Sequence, residues 1–384
     1  GRVEQADELM QAFLSADPTR ELIAQAAEHQ RAGRLEDAET IYREILRRDP
    51  RNLEALRLLA LIAMKTEHYG QAESLLKRAV EIAPDFLAAW IDLSRAQLER
   101  QDLQAGLASI ERAVQLSPRS ANVHINLANV QARSGHHDQA IDTYRRAIEL
   151  GPDQPGGYLG LGNTLKTVGQ QAEAIEAYRR ATAMRADLSE AWWSLSNLKT
   201  FRFEDQEIEA MQRQLEAPEI SDEAQVQFCF ALGKAHEDRG DYARAFELYE
   251  RGNRTRRAQE NYDPVETEVI NERIMKVFDA EFLARHAGRG HPDPAPIFVV
   301  GLPRSGSTLI EQILASHSQV DATHELPEVG RLIQQINRKR DDRIAYPEAV
   351  RDFADETWAA LGRVYIDQTR LHRRDAPYFI DKMP

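Results

Sequence analysis

Small residues and prolines recur with a fixed period along the first half of the chain. Prolines stand 34 residues apart, at Pro50, Pro84, Pro118 and Pro152. A column of small residues keeps the same register, at Ala38, Ala72, Gly106, Ala140 and Ala174. Small residues at a fixed place in each period are typical of two helices that cross closely. The period therefore predicts a repeated helix–turn–helix unit.

This register resembles that of tetratricopeptide repeats, in which tyrosines and alanines follow the small residue at fixed offsets. Tyrosines stand four residues after it, at Tyr42, Tyr144 and Tyr178. The predicted units span residues 19–52, 53–86, 87–120, 121–154 and 155–188, with a sixth that begins at Ser189 and loses the pattern near Phe201, and another at 226–259. We expect ten helices in five pairs between residues 19 and 188, an α-solenoid array over 19–259, and a capping helix over 1–18.

The first helix of each repeat lines the concave face of such a solenoid. Asparagines recur there, at Asn126, Asn129, Asn163 and Asn197. Their amides can hydrogen-bond the backbone of an extended peptide, which predicts an acceptor-binding groove. They can equally well be solvated or bond between repeats, and the sequence leaves both interpretations open.

The composition limits the classes of protein to consider. A chain of 384 residues is long enough for two or three domains. The formal net charge of −13 disfavours a nucleic-acid partner. We expect no membrane span, because no apolar run approaches about 18 residues. The single cysteine, Cys229, excludes an intrachain disulfide and favours a reducing, cytoplasmic location.

The pattern changes after a predicted helical connector at 260–293. Residues 297–300 form a short apolar run, which predicts a strand buried on both faces of a parallel sheet. A glycine-rich turn follows from Gly301 to Gly306, and apolar residues at helical spacing then begin a helix. A strand, a turn and a helix N-terminus together predict an anion site, because free backbone N–H groups converge there.

The anion is not expected to be a nucleoside triphosphate. Gly301 and Gly306 have the spacing of a phosphate loop, but Ser307 stands where such a loop carries its lysine. The positive charge lies inside the turn instead, at Arg304. Its planar guanidinium suits phosphate or sulfate oxygens, so the turn is P-loop-like without being that of a kinase.

Residues 294–384 resemble the N-terminal part of sulfotransferases that use 3′-phosphoadenosine 5′-phosphosulfate, among them tyrosylprotein sulfotransferases and bacterial fusions with tetratricopeptide repeats. The loop Gly301–Thr308 is similar to the family's Gly-x-Pro-Arg-Ser-Gly-Thr-Thr. Downstream, Glu325 lies in Thr-His-Glu-Leu-Pro, and Lys382 lies two residues before Pro384, both as in the family. We therefore expect an α/β sulfotransferase domain that is incomplete at Pro384, with the family's 3′-phosphate site beyond it.

The resemblance implies a role for each matching residue. The sulfate donor would be held by the loop residues, Pro303, Arg304, Ser305, Gly306, Ser307 and Thr308. Glu325 would be the catalytic base, Lys382 the cation at the developing negative charge, and Arg304 a further catalytic cation. No metal would be needed. Glu328 is the rival base, and it is otherwise a residue that starts a helix.

The acceptor stays open between a protein, a peptide and a glycan. Tyrosylprotein sulfotransferases carry an acidic residue before the catalytic Glu and an Arg two residues after it. Here those positions hold His324 and Pro327, so the resemblance does not by itself imply specificity for peptide tyrosine. The alternative function is a repeat scaffold that recruits protein partners and carries a degenerate nucleotide domain.

Overall fold

The computed structural model describes residues 18–260, 262–323, 325–339 and 344–383. The chain divides after Glu260 into two compact units. The capping helix expected over 1–18 lies outside the described residues, apart from Pro18 at the start of the first helix.

The first unit contains the ten predicted helices in five successive pairs. They are α1 (Pro18–Arg31), α2 (Leu35–Arg48), α3 (Leu53–Lys65), α4 (Tyr69–Ile82), α5 (Leu87–Glu99), α6 (Leu103–Leu116), α7 (Ala121–Arg133), α8 (His137–Leu150), α9 (Pro155–Thr167) and α10 (Gln171–Met184). Within each pair the second helix packs against the first, and it also contacts the helix that follows. The solenoid fold predicted from the 34-residue register is confirmed.

Close crossing explains the columns of small and aromatic residues. Ala38, Ala72, Ala140 and Ala174 are all fully buried. Tyr178 on α10 packs onto the backbone of α9, where a Cβ built on Gly162 would lie 2.7 Å from the tyrosine ring. Contacts this short leave no room for a larger side chain, so the register of small residues follows from helix packing.

A left-handed backbone position recurs at the turn inside each of the five pairs. Gly33, Gly135 and Gly169 occupy it with φ of 77°, 79° and 83°. In the second and third pairs the same position holds Glu67 and Gln101, each with φ of 61°. Glycine tolerates this conformation best. The same turn is nevertheless kept in the two pairs where Glu67 and Gln101 take the place of glycine.

The repeat pattern weakens after residue 188, but the packed core continues. Four further helices follow, α11 (Ser189–Ser196), α12 (Asp205–Leu215), α13 (Asp222–Asp238) and α14 (Tyr242–Gln259). Large apolar side chains from this segment, including Trp192, Phe203 and Met211, join one core cluster that extends from Ala128 to Leu248. The irregular stretch is therefore an integral part of the solenoid.

The second unit is an α/β structure. Its elements are α15 (Pro264–Val277), α16 (Ala280–His286), β1 (Pro296–Val300), α17 (Ser307–Ala315), β2 (Val320–Ala322), α18 (Glu328–Lys339), α19 (Asp355–Thr369) and β3 (Tyr378–Met383). Among the described residues the strands form a parallel sheet in the order β1–β3–β2. The α/β fold predicted for this part of the chain is confirmed.

The segment expected to connect the two parts forms two helices that pack inside the second unit. Asp279 separates them, because its carboxylate accepts a hydrogen bond from the N–H of Phe282 at 2.8 Å and begins a new helix. Phe278 and Phe282 then pack with Trp358 and Val350 in one apolar cluster. Most of residues 260–293 thus belongs structurally with the sheet.

The expectation that β1 is buried on both faces is wrong for the described residues. Phe298 and Val300 are exposed, whereas their neighbours are partly covered. β1 pairs with β3 along one edge, and the described helices cover it incompletely. The continuous apolar run nevertheless correctly predicted a strand in a parallel sheet.

In the described part of the chain, every helix is too short or too polar to cross a lipid bilayer.

Two glycines of α9 provide a test of the packing argument. Gly162→Ala would place a methyl group against the Tyr178 ring, and we expect it to lower the free energy of unfolding by about 1–3 kcal/mol. Gly156→Ala, in the same helix, meets no atom within 4 Å and should raise it by about 0.4–1 kcal/mol. Urea unfolding of both variants measures the two changes, and equal effects would contradict the close crossing.

Candidate active site

The turn between β1 and α17 is shaped by three backbone requirements. Arg304 has φ of 68° and Gly306, which caps α17, has φ of 93°. Gly301 is needed for a different reason, since a Cβ there would lie 2.8 Å from the hydroxyl of Ser305. An arginine with a positive φ has a strained backbone, and such strain is concentrated at functional sites.

This turn directs a limited set of backbone donors toward the start of α17. The N–H of Ser305 is used inside the loop, where it donates to the carbonyl of Leu302 at 3.1 Å. The N–H groups of Ser307 and Thr308 belong to the first turn of α17, where helix geometry provides no intrahelical acceptor. The backbone donors available to an anion are therefore the N–H groups at the start of α17, and Ser305 can contribute its hydroxyl.

Parallel pairing brings Lys382 to this turn. Lys382 on β3 lies opposite Val299 in the register, one residue before the end of β1. Its ammonium Nζ contacts Thr308 Oγ1 at 3.3 Å, Glu311 Oε2 at 3.3 Å and Glu325 Oε1 at 3.5 Å. Three segments distant in the chain thus converge on one ammonium group.

Glu325 follows β2 and is held in place by its neighbours. The hydroxyl of Thr323 donates to the carbonyl of Ile380 on β3, and Leu326 is buried among Tyr365, Ile366 and Phe379. The Glu325 side chain itself is 58% exposed, whereas that of Lys382 is 13% exposed. The carboxylate is therefore anchored by its backbone and open to solvent, as a group that exchanges a proton with a ligand must be. His324, beside it, lies outside the described residues.

Glu328 is in a very different environment. It starts α18, it is fully buried, and it pairs with Arg331 at 3.0 Å and His372 at 3.4 Å. Burial opposes its ionisation, but the hydrogen bond from His372 and the charge of Arg331 outweigh that effect, so the pKa of the carboxyl is lowered. Glu328 is thus buried and paired through one carboxylate oxygen, whereas Glu325 is mainly exposed.

Two other groups near the site were missed from the sequence. Glu311 on α17 is a buried partner of Lys382. Asp381, next to Lys382 on β3, points to the opposite side of the strand and accepts a hydrogen bond from the Tyr365 hydroxyl at 2.6 Å. Burial raises the pKa of Asp381 although the Tyr365 bond lowers it. In the sequence, Glu311 could have been noticed because it is a charged residue within the apolar run of α17.

Arg304 is exposed in the turn, and among the described residues it has no ion-pair partner. The structure does not bring its side chain into contact with Glu325 or Lys382. Pro303, Gly306 and Thr308 are exposed on the same turn, and Ser307 is half-buried. Within the described residues, no three His, Cys, Asp or Glu side chains form a group that could hold a metal ion.

The predicted asparagine groove separates into two parts. Asn126, Asn129 and Asn163 line one cavity of about 420 Å³ on the first unit, and Asn197 does not. The carbonyl oxygen of Asn163 accepts a hydrogen bond from the Tyr178 hydroxyl at 2.8 Å, and that of Asn129 accepts one from Tyr144.

Burial raises the pKa of Tyr178 to about 12, so its hydroxyl stays a donor. Each of these two amides then has its NH₂ group left for another acceptor. Both hydrogen bonds join the two helices of a single repeat, and neither joins neighbouring repeats. They are compatible with binding of a further group through the NH₂ of Asn129 and of Asn163.

Comparison with known proteins agrees with both halves of this description. Residues 296–384 match the sulfotransferase family, and residues 29–95, 91–155 and 156–188 match tetratricopeptide repeat families. A protein of Aquifex aeolicus (strain VF5) without assigned function is 33% identical over 191 residues, which are 49% of this chain and 25% of that protein. Human protein-tyrosine sulfotransferase 1 is 28% identical over 132 residues, 33% of this chain and 35% of that protein.

The chain thus spans between a quarter and about a third of the length of these two curated relatives. Among solved structures, MamA is similar at 25% identity over 42% of this chain and 94% of that chain, with a TM-score of 0.37. A thermophilic tetratricopeptide protein of Thermus thermophilus is similar at 23% identity over 45% of this chain and 94% of that chain, with a TM-score of 0.41. By the family matches, the chain is similar to the sulfotransferase family over residues 296–384 and to tetratricopeptide repeats over residues 29–188.

Proposed function

We propose that the protein transfers a sulfuryl group from 3′-phosphoadenosine 5′-phosphosulfate to a hydroxyl group of a protein, peptide or glycan. The observation that supports this most directly is the contact of Lys382 with both Glu325 and Thr308 at the N-terminus of α17. A cation, an accessible carboxylate and a helix N-terminus are the three elements that sulfuryl transfer requires. Like phosphoryl transfer, it depends on positioning and on stabilisation of spread negative charge.

Each group has one task in this proposal. The N–H groups at the start of α17 and the Arg304 guanidinium bind the 5′-phosphosulfate oxygens. Glu325 accepts the proton of the acceptor hydroxyl as its oxygen bonds to sulfur. Lys382 places positive charge where the bond from sulfur to the phosphate oxygen breaks and leaves an electron pair on that oxygen. The proton thus moves to Glu325 and the negative charge to the departing nucleotide, and no metal ion enters this account.

We assign residues 294–384 to the catalytic part and residues 19–259 to presentation of the acceptor or of a partner. The cavity lined by Asn126, Asn129 and Asn163 supports the second assignment, because the NH₂ groups of Asn129 and Asn163 suit the carbonyl groups of an extended chain. The single cysteine, Cys229, is buried, which agrees with a reducing compartment such as the cytoplasm. A scaffold with a degenerate nucleotide domain is the competing function, and it predicts that the sulfate donor does not bind.

The donor site is tested by Arg304→Ala. We expect this substitution to weaken binding of the desulfated nucleotide by about 1.5–3 kcal/mol, the usual contribution of a hydrogen bond to a charged group. Isothermal titration calorimetry on the full-length protein measures the change. Arg363→Ala, which removes an exposed arginine from α19, is the control and should leave the affinity unchanged. Equal affinity of wild type and Arg304→Ala would remove Arg304 from the site.

The base is tested by Glu325→Gln, which keeps the size of the side chain and removes the proton acceptor. We expect kcat to fall by about 10²–10⁴-fold while the nucleotide still binds. Transfer of labelled sulfate measures the rate, and Glu356→Gln at an exposed position of α19 is the matched control. Loss of nucleotide binding together with turnover would show instead that Glu325 holds the turn in shape.

The groove is tested with an acceptor first identified by transfer of labelled sulfate in a lysate. Asn126→Arg places a long cationic side chain in the cavity, and we expect KM for that acceptor to rise by about 10-fold or more, equivalent to about 1.4 kcal/mol. Asn197→Arg makes the same change outside the cavity and should leave KM unaltered. A similar KM in both variants would exclude this cavity from acceptor binding.

A further inference from the structure

Helix α17 buries its charged residue and exposes apolar ones. Glu311 is 5% exposed, whereas Leu309 is 66% and Ile313 58% exposed. In a helix that packs only for stability the opposite arrangement is expected, since burial of a carboxylate is unfavourable unless a partner compensates for it. The placement of Glu311 therefore needs an explanation beyond packing.

The partner of Glu311 is Lys382. The two charged groups are 3.3 Å apart, and the Lys382 side chain is itself largely buried. Thr308, one turn before Glu311 on α17, reaches the same ammonium group at 3.3 Å. One face of the helix that begins at the anion turn thus holds the ammonium of a residue on β3 by two side chains.

Lys382 has a second carboxylate partner with different properties. Glu325 lies 3.5 Å from the ammonium group and is mainly exposed, so water and ligands reach it. Interaction with an exposed carboxylate is weakened by solvent, whereas a buried pair is screened much less. The geometry therefore provides one permanent counter-charge and one that is free to interact with a substrate.

We propose that Glu311 is a positioning residue that keeps Lys382 directed at the reacting group while Glu325 handles the proton. The inference rests on the sulfuryl transfer proposed above. When Glu325 takes the acceptor proton its charge is neutralised, and it no longer holds the ammonium group. Glu311 gains and loses no proton in the step, so Lys382 keeps an ionised partner while the bond from sulfur to phosphate oxygen breaks.

Glu311→Gln in the full-length protein tests this inference. We expect kcat to fall by about 10- to 100-fold, the scale observed when a group that orients a reacting residue is lost. Affinity for the desulfated nucleotide should stay within about twofold, because Glu311 contacts Lys382 and not the turn. A purely structural role would lower the thermal midpoint and impair binding and turnover together, so calorimetry, a melting curve and kcat are measured on the same sample.

Two further variants complete the experiment. Glu311→Asp keeps the charge with a shorter reach and should recover part of the lost kcat. The double variant E311Q/Q312E keeps the net charge of α17 but moves the carboxylate to the neighbouring exposed position, and it should recover none. An unchanged kcat in folded Glu311→Gln overturns the inference. If Glu311→Gln does not fold, Glu311→Asp is compared with wild type, and an unchanged kcat in that variant overturns the inference. Absence of transfer by the wild type would overturn the proposed reaction itself, which is a different result.

Discussion

Parallel pairing of β1 with β3 is the contact on which the candidate site depends. It joins two strands that are far apart in sequence and sets Lys382 opposite Val299, next to the anion turn. β2 then pairs with the other edge of β3, which brings Glu325 to the same end of the sheet. The carboxyl ends of parallel strands meet at one edge, and ligands of open α/β sheets bind there. One register of three short strands therefore accounts for the convergence of the lysine, the glutamate and the turn.

The same register divides the side chains of β3 between two environments. Lys382 faces the turn and α17, whereas Asp381 faces the apolar side, where Tyr365 donates a hydrogen bond to it. Successive side chains of a strand point to opposite faces, so a slip of one residue would exchange the two. Such a slip would put Asp381 where Lys382 now lies and reverse the sign of the charge at the anion turn. The Asp381–Tyr365 bond and the Lys382–Glu311 pair both oppose that slip.

The sequence predicted those parts of the structure that depend on short-range pattern. The 34-residue register predicted the helices of the array, because close crossing imposes small residues at regular intervals. The apolar run before Gly301 predicted β1. The burial of Glu311 was beyond such reasoning, since it depends on a lysine that lies much later in the chain.

Local pattern also failed where burial or capping decided the outcome. Glu325 and Glu328 stand three residues apart and are both plausible bases in sequence, yet one is exposed and the other is fully enclosed by Arg331 and His372. A helical connector was expected over residues 260–293, and capping by Asp279 divides its helical part in two. The burial of Phe298 and Val300 was overestimated, because an apolar run does not reveal how much of a sheet is covered.

The left-handed turns of the array have a consequence for its dynamics. A residue other than glycine costs about 1–2 kcal/mol in this conformation, and Glu67 and Gln101 hold it in the second and third pairs. Repeat arrays are stabilised by contacts between neighbouring units, so such a cost stays largely with the pair that carries it. The energy needed for local opening should therefore differ along the solenoid axis, with the amide hydrogens around residues 67 and 101 exchanging sooner with solvent than those around 135 and 169. The array is regular in geometry but uneven in local stability.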